Sequence, residues 1–448
     1  MKKFLTFVLL AATLLSSVSL AGAEGERTIT FWYSMSGNNG GILQSLIDEF
    51  NQTKGKEAGI FVSGEYQGAY TAAAQKLTAA IIAGDLNAMP NIVQQGALTV
   101  AKMKDYEEVL SFENILNNYQ TSMTKDMFVP NFLCASNIDG EAIGMPFASS
   151  TIILYYNKDA FREAGLDPEE PPKTLKELGE YCQKLTMRNE DGSISRYGIV
   201  MQPDSWFLSS WLCQQKVDDG HAYFANNHDG RMGGPATHTI FKEQGTMKNF
   251  LEQYIAAYNV GGWKYLSEDD RGEFAAGTVA MFIGSTSSFY SVVSAVEDKF
   301  TWGCAAVPTV DETAGGVAAG GSALYVINRK SEQEIKDTIT FLEYLTSTET
   351  QYKWYSQTGY FPVNMNTFST EEMAARIKEY PQLQAAINQL LASEPTLQEP
   401  LINASGIDSI LADNIIDTIE GNQTIDECVD KMTEQLDAAI SEYLATLN

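Results

Sequence analysis

Short apolar strands alternate with amphipathic helices in the first part of this chain, and this alternation restricts its fold more than any other feature. A run rich in Ile, Thr, Phe, Trp and Tyr predicts a strand at 29–33, and apolar residues at helical spacing predict a helix over 42–50. The pattern repeats with a strand at 60–64, a helix at 70–83 and an apolar run at 91–93. Such βαβ units predict an α/β fold with a largely parallel sheet, in which ligands bind at the carboxyl ends of the strands.

The length of 448 residues indicates two lobes, because a single hydrophobic core stops growing near about 250–300 residues. A second α/β block begins near Met145, and residues 303–308 are expected to form a second crossing strand between the lobes. Since the chain crosses more than once, each lobe is discontinuous. We predict an N-terminal lobe from residues 24–145 and 306–346, and a C-terminal lobe from 146–305 and 347–448.

The first 23 residues have the pattern of a cleavable signal peptide. Two lysines precede a mostly apolar run over 4–15, and an Ala-Gly-Ala sequence ending at Ala23 matches the small-x-small pattern read by signal peptidase. We expect cleavage after Ala23, with an uncleaved anchor as the alternative. No cysteine lies near that position, so no lipid anchor is expected, and no later run approaches the roughly 18 apolar residues of a membrane-spanning helix.

The formal net charge of −27 makes nucleic acid and anionic lipid poor partners. An anionic ligand would have to be bound by local donors that work against this overall field. The hydrophobic fraction of 44% and the charged fraction of 19% are those of a globular protein rather than a disordered one.

No motif of a hydrolase, nucleotide-binding enzyme or metalloprotein occurs in the sequence. The histidines at 221, 228 and 238 lie in a stretch rich in Gly, Asn and His, and we expect residues 220–240 to form a surface excursion with solvated side chains. The cysteines are scattered without ligand-like spacing, which favours buried free thiols and leaves a disulfide as the alternative. We therefore expect no catalytic residue, no metal and no cofactor.

Aromatic residues near polar loops indicate a site for a sugar or polyol. A ring face covers the C–H groups of such a ligand, while neighbouring hydroxyl and backbone groups bond its hydroxyls. Gly320 and Gly321 precede a predicted strand at 323–327, so they are interpreted as a close backbone approach to a ligand rather than a dinucleotide motif. For each aromatic residue taken singly, a structural role in the core is the alternative. The aromatic candidates are Trp32, Tyr70, Trp206, Trp211 and Tyr360.

One stretch carries a family resemblance: YYNKDAF at 155–161, followed by AGLDP at 164–168 and PPKT at 171–174. It resembles the signature of the extracellular solute-binding proteins (family 1) of bacterial ABC transporters. The chain is more similar to the sn-glycerol-3-phosphate-binding periplasmic proteins of that family than to its maltose-binding proteins. Further stretches follow in the expected order: FWYSM at 31–35, YQGAY at 66–70, PFASS at 146–150, GTVAM at 277–281, GGSAL at 320–324 and TGYFP at 358–362.

This resemblance implies a two-lobed periplasmic-binding-protein fold, each lobe a central β-sheet flanked by helices, with the ligand cleft between the lobes. A monomer in the periplasm is expected to capture a sugar, polyol or glycerol-phosphate derivative by hinge closure and to deliver it to the permease subunits. A secreted glycan-acting hydrolase and a ligand-presenting sensory module are the alternatives. The hydrolase would need two carboxylates about 5–10 Å apart across a sugar bond.

The resemblance also nominates site residues. It makes Trp206 a stacking floor and gives Gly321 a backbone N–H contact. The full set of ligand-binding candidates is Tyr70, Ser150, Trp206, Ser285, Gly321 and Tyr360. Two positions depart from the glycerol-3-phosphate group: Ala97 stands where a glutamate is expected, and Ile402 or Asn403 stands where an arginine would bind phosphate. We therefore expect glycerol-3-phosphate to bind weakly or not at all, since an arginine is a strong bidentate partner for phosphate.

Overall fold

The structure is a computed structural model, and it describes residues 26–218, 220–312, 315–402 and 406–445. The predicted signal peptide and Asn403 lie outside these residues. Within the described ranges, no helix is both long enough and apolar enough to cross a membrane.

Two mixed sheets form the framework of the described chain. The first, six-stranded sheet has β1 at its interior, parallel to β2 and β3, while β11 runs antiparallel to β3, β4 and β5. The second, five-stranded sheet has the order β8-β7-β9-β6-β10, with β6 antiparallel to both of its neighbours. The strands are Arg27–Tyr33 (β1), Ile60–Tyr66 (β2), Ile92–Gly96 (β3), Val109–Leu110 (β4), Met145–Ser150 (β5), Ile152–Asn157 (β6), Ile199–Val200 (β7), Trp263–Lys264 (β8), Met281–Ser285 (β9), Trp302–Ala305 (β10) and Gly320–Ile327 (β11).

The parts of the chain built on these sheets are called the first lobe and the second lobe. The chain passes from the first sheet to the second at Thr151, between β5 and β6, and returns between β10 and β11. Three short hairpins lie outside the main sheets: Asn137–Ile138 with Glu141–Ala142, Met187–Arg188 with Ile194–Arg196, and Lys216–Val217 with Gly220–His221.

The lobe boundaries remain a prediction, and two contacts bear on them. Residues 306–319 follow β10, and Val307, Val310 and Val317 pack into the core cluster that covers β6 and β9. Helix Thr348–Thr358 packs on helix Gly37–Gln52 of the first lobe.

Helices cover both sheets and make up most of the chain after β11. Their bounds are Gly37–Gln52, Lys54–Ala58, Tyr70–Ala83, Val100–Asp105, Phe112–Asn118, Pro130–Ala135, Lys158–Glu163, Leu175–Leu185, Ser205–Cys213, Asn226–Gly230, Phe241–Gln244, Thr246–Asn259, Asp270–Ala275, Phe289–Val296, Glu332–Thr346, Thr348–Thr358, Glu371–Glu379, Leu383–Ala392, Ile407–Ile419 and Ile425–Ala445. The predicted helix at 70–83 is confirmed; its buried Ala73, Leu77 and Ala80 lie at helical spacing, and Gly84 ends it in the left-handed conformation.

The prediction of a surface excursion at 220–240 is wrong in part: His228 and His238 are exposed, but the segment also contributes buried side chains. Phe224 and Ala236 pack into the core of the second lobe, and Asp229 and Arg231 are only 2% and 8% exposed. The polar side chains are paired with backbone groups; the Asn227 amide, for example, donates to the Pro235 carbonyl at 2.8 Å. The composition of the segment shows that its side chains are polar, but not whether they have hydrogen-bond partners. Polar groups that have such partners can be buried.

All five cysteines are free, as favoured by the sequence. Cys182, Cys213 and Cys428 are buried, and Cys134 and Cys304 are half-buried. Burial raises the pKa of the Cys134 and Cys428 thiols.

Candidate functional site

Strand ends from the two sheets meet where the chain crosses between the lobes. Ser150 is the last residue of β5, and Ser285 is the last residue of β9. The residues that follow them are joined by two hydrogen bonds, from the Thr286 N–H to the Thr151 carbonyl at 2.8 Å and from the Thr151 N–H to the Thr286 hydroxyl at 3.2 Å. The predicted site residues Ser150 and Ser285 are therefore neighbours, one from each lobe.

Tyr70 and Tyr360 add two phenol groups at this junction. Tyr70 is the first residue of its helix, and the nearby Ser322 side chain on β11 lowers the pKa of its phenol. The Ser287 side chain likewise lowers the pKa of the Tyr360 phenol. Tyr360 is close enough to Tyr70 to raise the pKa of the Tyr70 hydroxyl. Burial raises the pKa of Tyr70 to about 12, so this hydroxyl is a neutral donor and acceptor at physiological pH.

We call the hydroxyl-bearing residues at this junction the hydroxyl cluster. Ser285 Oγ lies 2.8 Å from Ser287 Oγ, and the N–H of Phe361, next to Tyr360, donates to the Ser149 carbonyl at 2.8 Å. The members of the hydroxyl cluster are Tyr70, Ser150, Ser285, Ser287, Ser322 and Tyr360.

Trp206 lies beside this cluster, in the first turn of helix Ser205–Cys213. Asp204 caps the helix by accepting from the Phe207 N–H at 2.9 Å, and the Trp206 indole N–H donates to the Ala318 carbonyl at 3.2 Å. The indole ring packs directly on the backbone of Gly320, where a Cβ atom would lie only 2.6 Å from the ring. The ring is thus held in place, and Trp206 is half-buried rather than enclosed.

Gly321 is paired with Ser149 between β11 and β5. Its φ of +111° is open to glycine and strained for other residues, and a Cβ would lie 2.0 Å from the Ala148 carbonyl oxygen. The close backbone approach expected at the two glycines is present. The protein groups that approach these two glycines are the Trp206 ring and the Ala148 carbonyl.

The other two aromatic candidates have structural roles. Trp211 is fully buried and its indole N–H donates to the Pro308 carbonyl at 2.8 Å. The Trp32 indole N–H donates to Glu65 at 3.1 Å across β1 and β2.

Sequence reasoning missed a buried amide that supports the cluster. Gln94 is fully buried; its Nε2 donates to Ser322 Oγ at 2.8 Å, and its Oε1 accepts from the Ser34 N–H at 3.0 Å. A glutamine near the end of a buried strand was the available signal, because an amide buried there needs partners. Ser287 and Ser322 gave no signal of their own.

A second polar region adjoins the same helix and is built from carboxylates. We call Asp204, Asp229, Glu399 and Asp408 the carboxylate cluster. Asp408 accepts from the Ser205 N–H at 2.9 Å, and Glu399 accepts from the Ser205 hydroxyl at 3.4 Å. Two of its members, Glu399 and Asp408, line a cavity of about 330 Å³ together with Leu98, Ser205, Ser209, Phe224, Pro400, Ile402, Gly406, Ile407 and Ser409.

Burial is the main cause of the raised pKa values of three of these carboxyl groups. Burial and the nearby charge of Asp204 raise the pKa of Glu399 to about 7. Burial also raises the pKa of Asp229 to about 7, and raises that of Asp204 above its ordinary value. Asp229 and Glu399 therefore become fully charged only above neutral pH.

Two positions were expected to differ from the glycerol-3-phosphate-binding proteins, and both have apolar surroundings. Ala97 follows β3 and packs against the first core cluster, and Ile402 is buried in the wall of the cavity. Among the described lining residues of this cavity none is Lys or Arg. Across the described chain, no three His, Cys, Asp or Glu side chains form a group that could hold a metal ion.

Comparison with known proteins gives consistent matches over most of the chain. A family model described as bacterial extracellular solute-binding protein matches residues 45–385. The sn-glycerol-3-phosphate-binding periplasmic protein UgpB of Pectobacterium atrosepticum is 25% identical over 445 residues, covering 97% of this chain and 96% of that protein. UgpB of Escherichia coli K12 is 26% identical over 441 residues, with 95% of each chain covered.

Solved structures with the same fold include sugar-binding and glycerophosphocholine-binding proteins. MalE of Xanthomonas citri has a TM-score of 0.75 at 20% identity, covering 94% of this chain and 99% of that one. UgpB of Mycobacterium tuberculosis in complex with glycerophosphocholine has a TM-score of 0.71 at 20% identity, covering 94% of this chain and 100% of that one. These matches confirm the predicted two-lobed α/β fold.

Proposed function

Because this chain belongs to the bacterial extracellular solute-binding protein family, we propose that it captures a sugar, a polyol or a glycerol-phosphate derivative and delivers it to the permease of an ABC importer. The observation that carries this proposal is the hydroxyl cluster with the Trp206 ring beside it, at the junction of the two lobes. Neutral hydroxyls next to an aromatic face suit a ligand with many hydroxyl groups. Relatives and structural neighbours named for glycerol-3-phosphate, glycerophosphocholine and maltose support the same range of solutes.

The ligand-binding residues of this proposal are the six nominated from the sequence. Trp206 covers the apolar face of the solute, and the Gly321 N–H is a backbone donor. The hydroxyls of the remaining four, Tyr70, Ser150, Ser285 and Tyr360, donate to or accept from the solute. Closure of the lobes buries the solute among groups from both sheets, which is why strand ends from each lobe contribute.

The solute carries little or no negative charge at the end that faces the carboxylate cluster. A phosphate dianion there would meet Glu399 and Asp408 without a described Lys or Arg in the cavity wall. Neutral sugars, polyols and glycerophosphodiesters fit better than glycerol-3-phosphate, because a diester has one negative charge and presents it away from its chain ends.

The protein acts as a periplasmic monomer after its signal peptide is removed. It has no catalytic role and needs no cofactor or metal. The lobe assignment, 24–145 with 306–346 and 146–305 with 347–448, belongs to the same proposal, and the first crossing of the chain, at Thr151, lies a few residues beyond its first boundary.

A thermal-shift screen over sugars, polyols and glycerophosphodiesters, followed by calorimetry, tests this function. A specific solute at 100 times its dissociation constant adds about 2.7 kcal/mol to the free energy of unfolding. Binding lost in Trp206→Ala but kept in Phe207→Ala, a truncation on the same helix, supports the site. If no member of these classes stabilises the protein, the proposed solute range is wrong. Turnover of a labelled oligosaccharide would favour the glycan hydrolase instead.

A further inference from the structure

Arg231 of the second lobe reaches into the first lobe. Its loop packs in the second core through Phe224 and Ala236. Its Nη1 donates to the carbonyls of Ala135 at 3.0 Å and Cys134 at 3.5 Å. Both carbonyls belong to helix Pro130–Ala135, which packs against β5 of the first sheet.

The backbone of the same loop is bonded to a first-lobe turn. The Asp139 N–H donates to the Arg231 carbonyl at 2.8 Å, and the Gly233 N–H donates to Asp139 Oδ1 at 2.9 Å. Asp139 is fixed on the first lobe by Lys104, whose Nζ lies 2.7 Å from its carboxylate, and Ile138 packs with β3 and β11. Five hydrogen bonds or ion pairs therefore converge at this contact, from side chains and backbone alike.

The guanidinium of Arg231 is buried without a close carboxylate partner. Its Nη1 and Nη2 groups donate to carbonyl oxygens, including that of Glu399, which lies 2.7 Å from Nη2. Its Nε has no hydrogen-bond partner. Asp229 and Glu399 supply opposite charge only at longer range. Such a charged group loses its hydration when the lobes meet and regains it when they part. The net free energy of forming this contact is therefore smaller than that of an apolar contact between the lobes.

We infer that Arg231 and Asp139 form an interlobe latch that holds the lobe arrangement of this structure and releases to let a solute exchange. Its role in solute exchange rests on the proposed function, but the latch itself is a property of the protein without solute. Because several bonds are made or broken together, the contact acts as a two-state element.

Small-angle scattering and amide hydrogen exchange of the protein without solute test the latch. Arg231→Met removes the guanidinium at similar length, and Asp139→Gly removes the acceptor of the Gly233 N–H while tolerating the φ of +54° at this position. We expect both variants to have a larger radius of gyration than the wild type. The amides of Asp139 and Gly233 should exchange about tenfold faster.

Two controls separate the latch from general loosening. Asp139→Asn keeps an acceptor oxygen for Gly233 and should restore the wild-type radius of gyration. Arg196→Met removes an arginine that bonds Leu185 and Glu163 within the second lobe, and should change nothing.

An unchanged radius of gyration in folded Arg231→Met and Asp139→Gly overturns the latch, and so does an equal expansion in Arg196→Met. If Arg231→Met does not fold, the variants at the exposed residue Asp139 test the latch on their own. Since no solute is used, failure of the solute screen and failure of the latch are separate outcomes.

Discussion

Helix Ser205–Cys213 lies between two polar regions that differ in charge. The hydroxyl cluster is neutral, and its Tyr70 and Tyr360 phenols lie near serine hydroxyls, which can act as donor or acceptor. In the carboxylate cluster the acids are committed to protein donors, since Asp204 and Asp408 accept from backbone N–H groups of the helix. The difference indicates a division of roles: charge fixes the helix that carries Trp206, and neutral groups remain available for a solute.

The largest expected effect concerns the charged region and pH. Asp229 has a pKa of about 7 in the folded protein against an ordinary 3.8, so the folded state retains its proton over a range where the unfolded chain loses it. The associated stabilisation is fully present below about pH 4 and is lost as pH rises through 7. Asp229→Asn should therefore flatten a decrease on the order of 3 kcal/mol between pH 5 and 8, measured by urea unfolding.

Asp105→Asn, at an exposed helix end, is the matched control and should keep the wild-type slope. Equal slopes in the wild type and both variants would show that Asp229 does not retain its proton as described.

The next largest effect concerns the neutral region. Trp206→Ala removes the ring beside the hydroxyl cluster, and affinity for the solute found in the screen should fall about 100-fold, or about 2.7 kcal/mol. Calorimetry measures it. Phe207→Ala on the same helix should lower the melting temperature without changing affinity. An equal loss of affinity in both variants would mean that the helix as a whole, rather than the Trp206 ring, is what matters.

A smaller effect concerns the influence of a charge in the carboxylate cluster on the affinity for a solute. Glu399→Gln removes one negative charge from the cavity wall, and affinity for glycerol-3-phosphate at pH 8 should rise about tenfold. Calorimetric titration at micromolar protein checks this, with Glu394→Gln on the exposed surface as the control. Tight wild-type binding of glycerol-3-phosphate would refute the charge argument.

The smallest effect concerns a single hydroxyl. Tyr360→Phe should weaken solute binding about fivefold, or about 1 kcal/mol, because one donor to the solute is lost while the ring remains. Tyr181→Phe removes a hydroxyl that donates to the Glu170 carbonyl at the surface, and should leave affinity unchanged. Unchanged affinity in Tyr360→Phe would remove this residue from the site.

Local patterns predicted much of the framework. The predicted strands at 29–33 and 60–64 correspond to β1 and β2. The sequence TLKE at 174–177 is a capping-box pattern, and Thr174 accepts from the Glu177 N–H at 3.2 Å. Glu177, in contrast, accepts from the Lys173 N–H at 2.6 Å instead of returning to Thr174. Such signals are reliable because neighbouring residues produce them. The burial of Arg231 was missed because its partners Ala135 and Glu399 lie 96 and 168 residues away in the chain.

The sequence by itself determined the α/β class, the two lobes and the family, because periodic apolar residues and ordered motifs are local properties. Only the tertiary structure decided which polar groups lie next to each other. It also decided which of these groups are neutral and which are charged. Gln94 and Ser322, for example, are 228 residues apart in the chain and 2.8 Å apart in space. Such pairs form only when the two crossings of the chain bring strand ends together, and burial then sets whether a carboxyl group there keeps its proton.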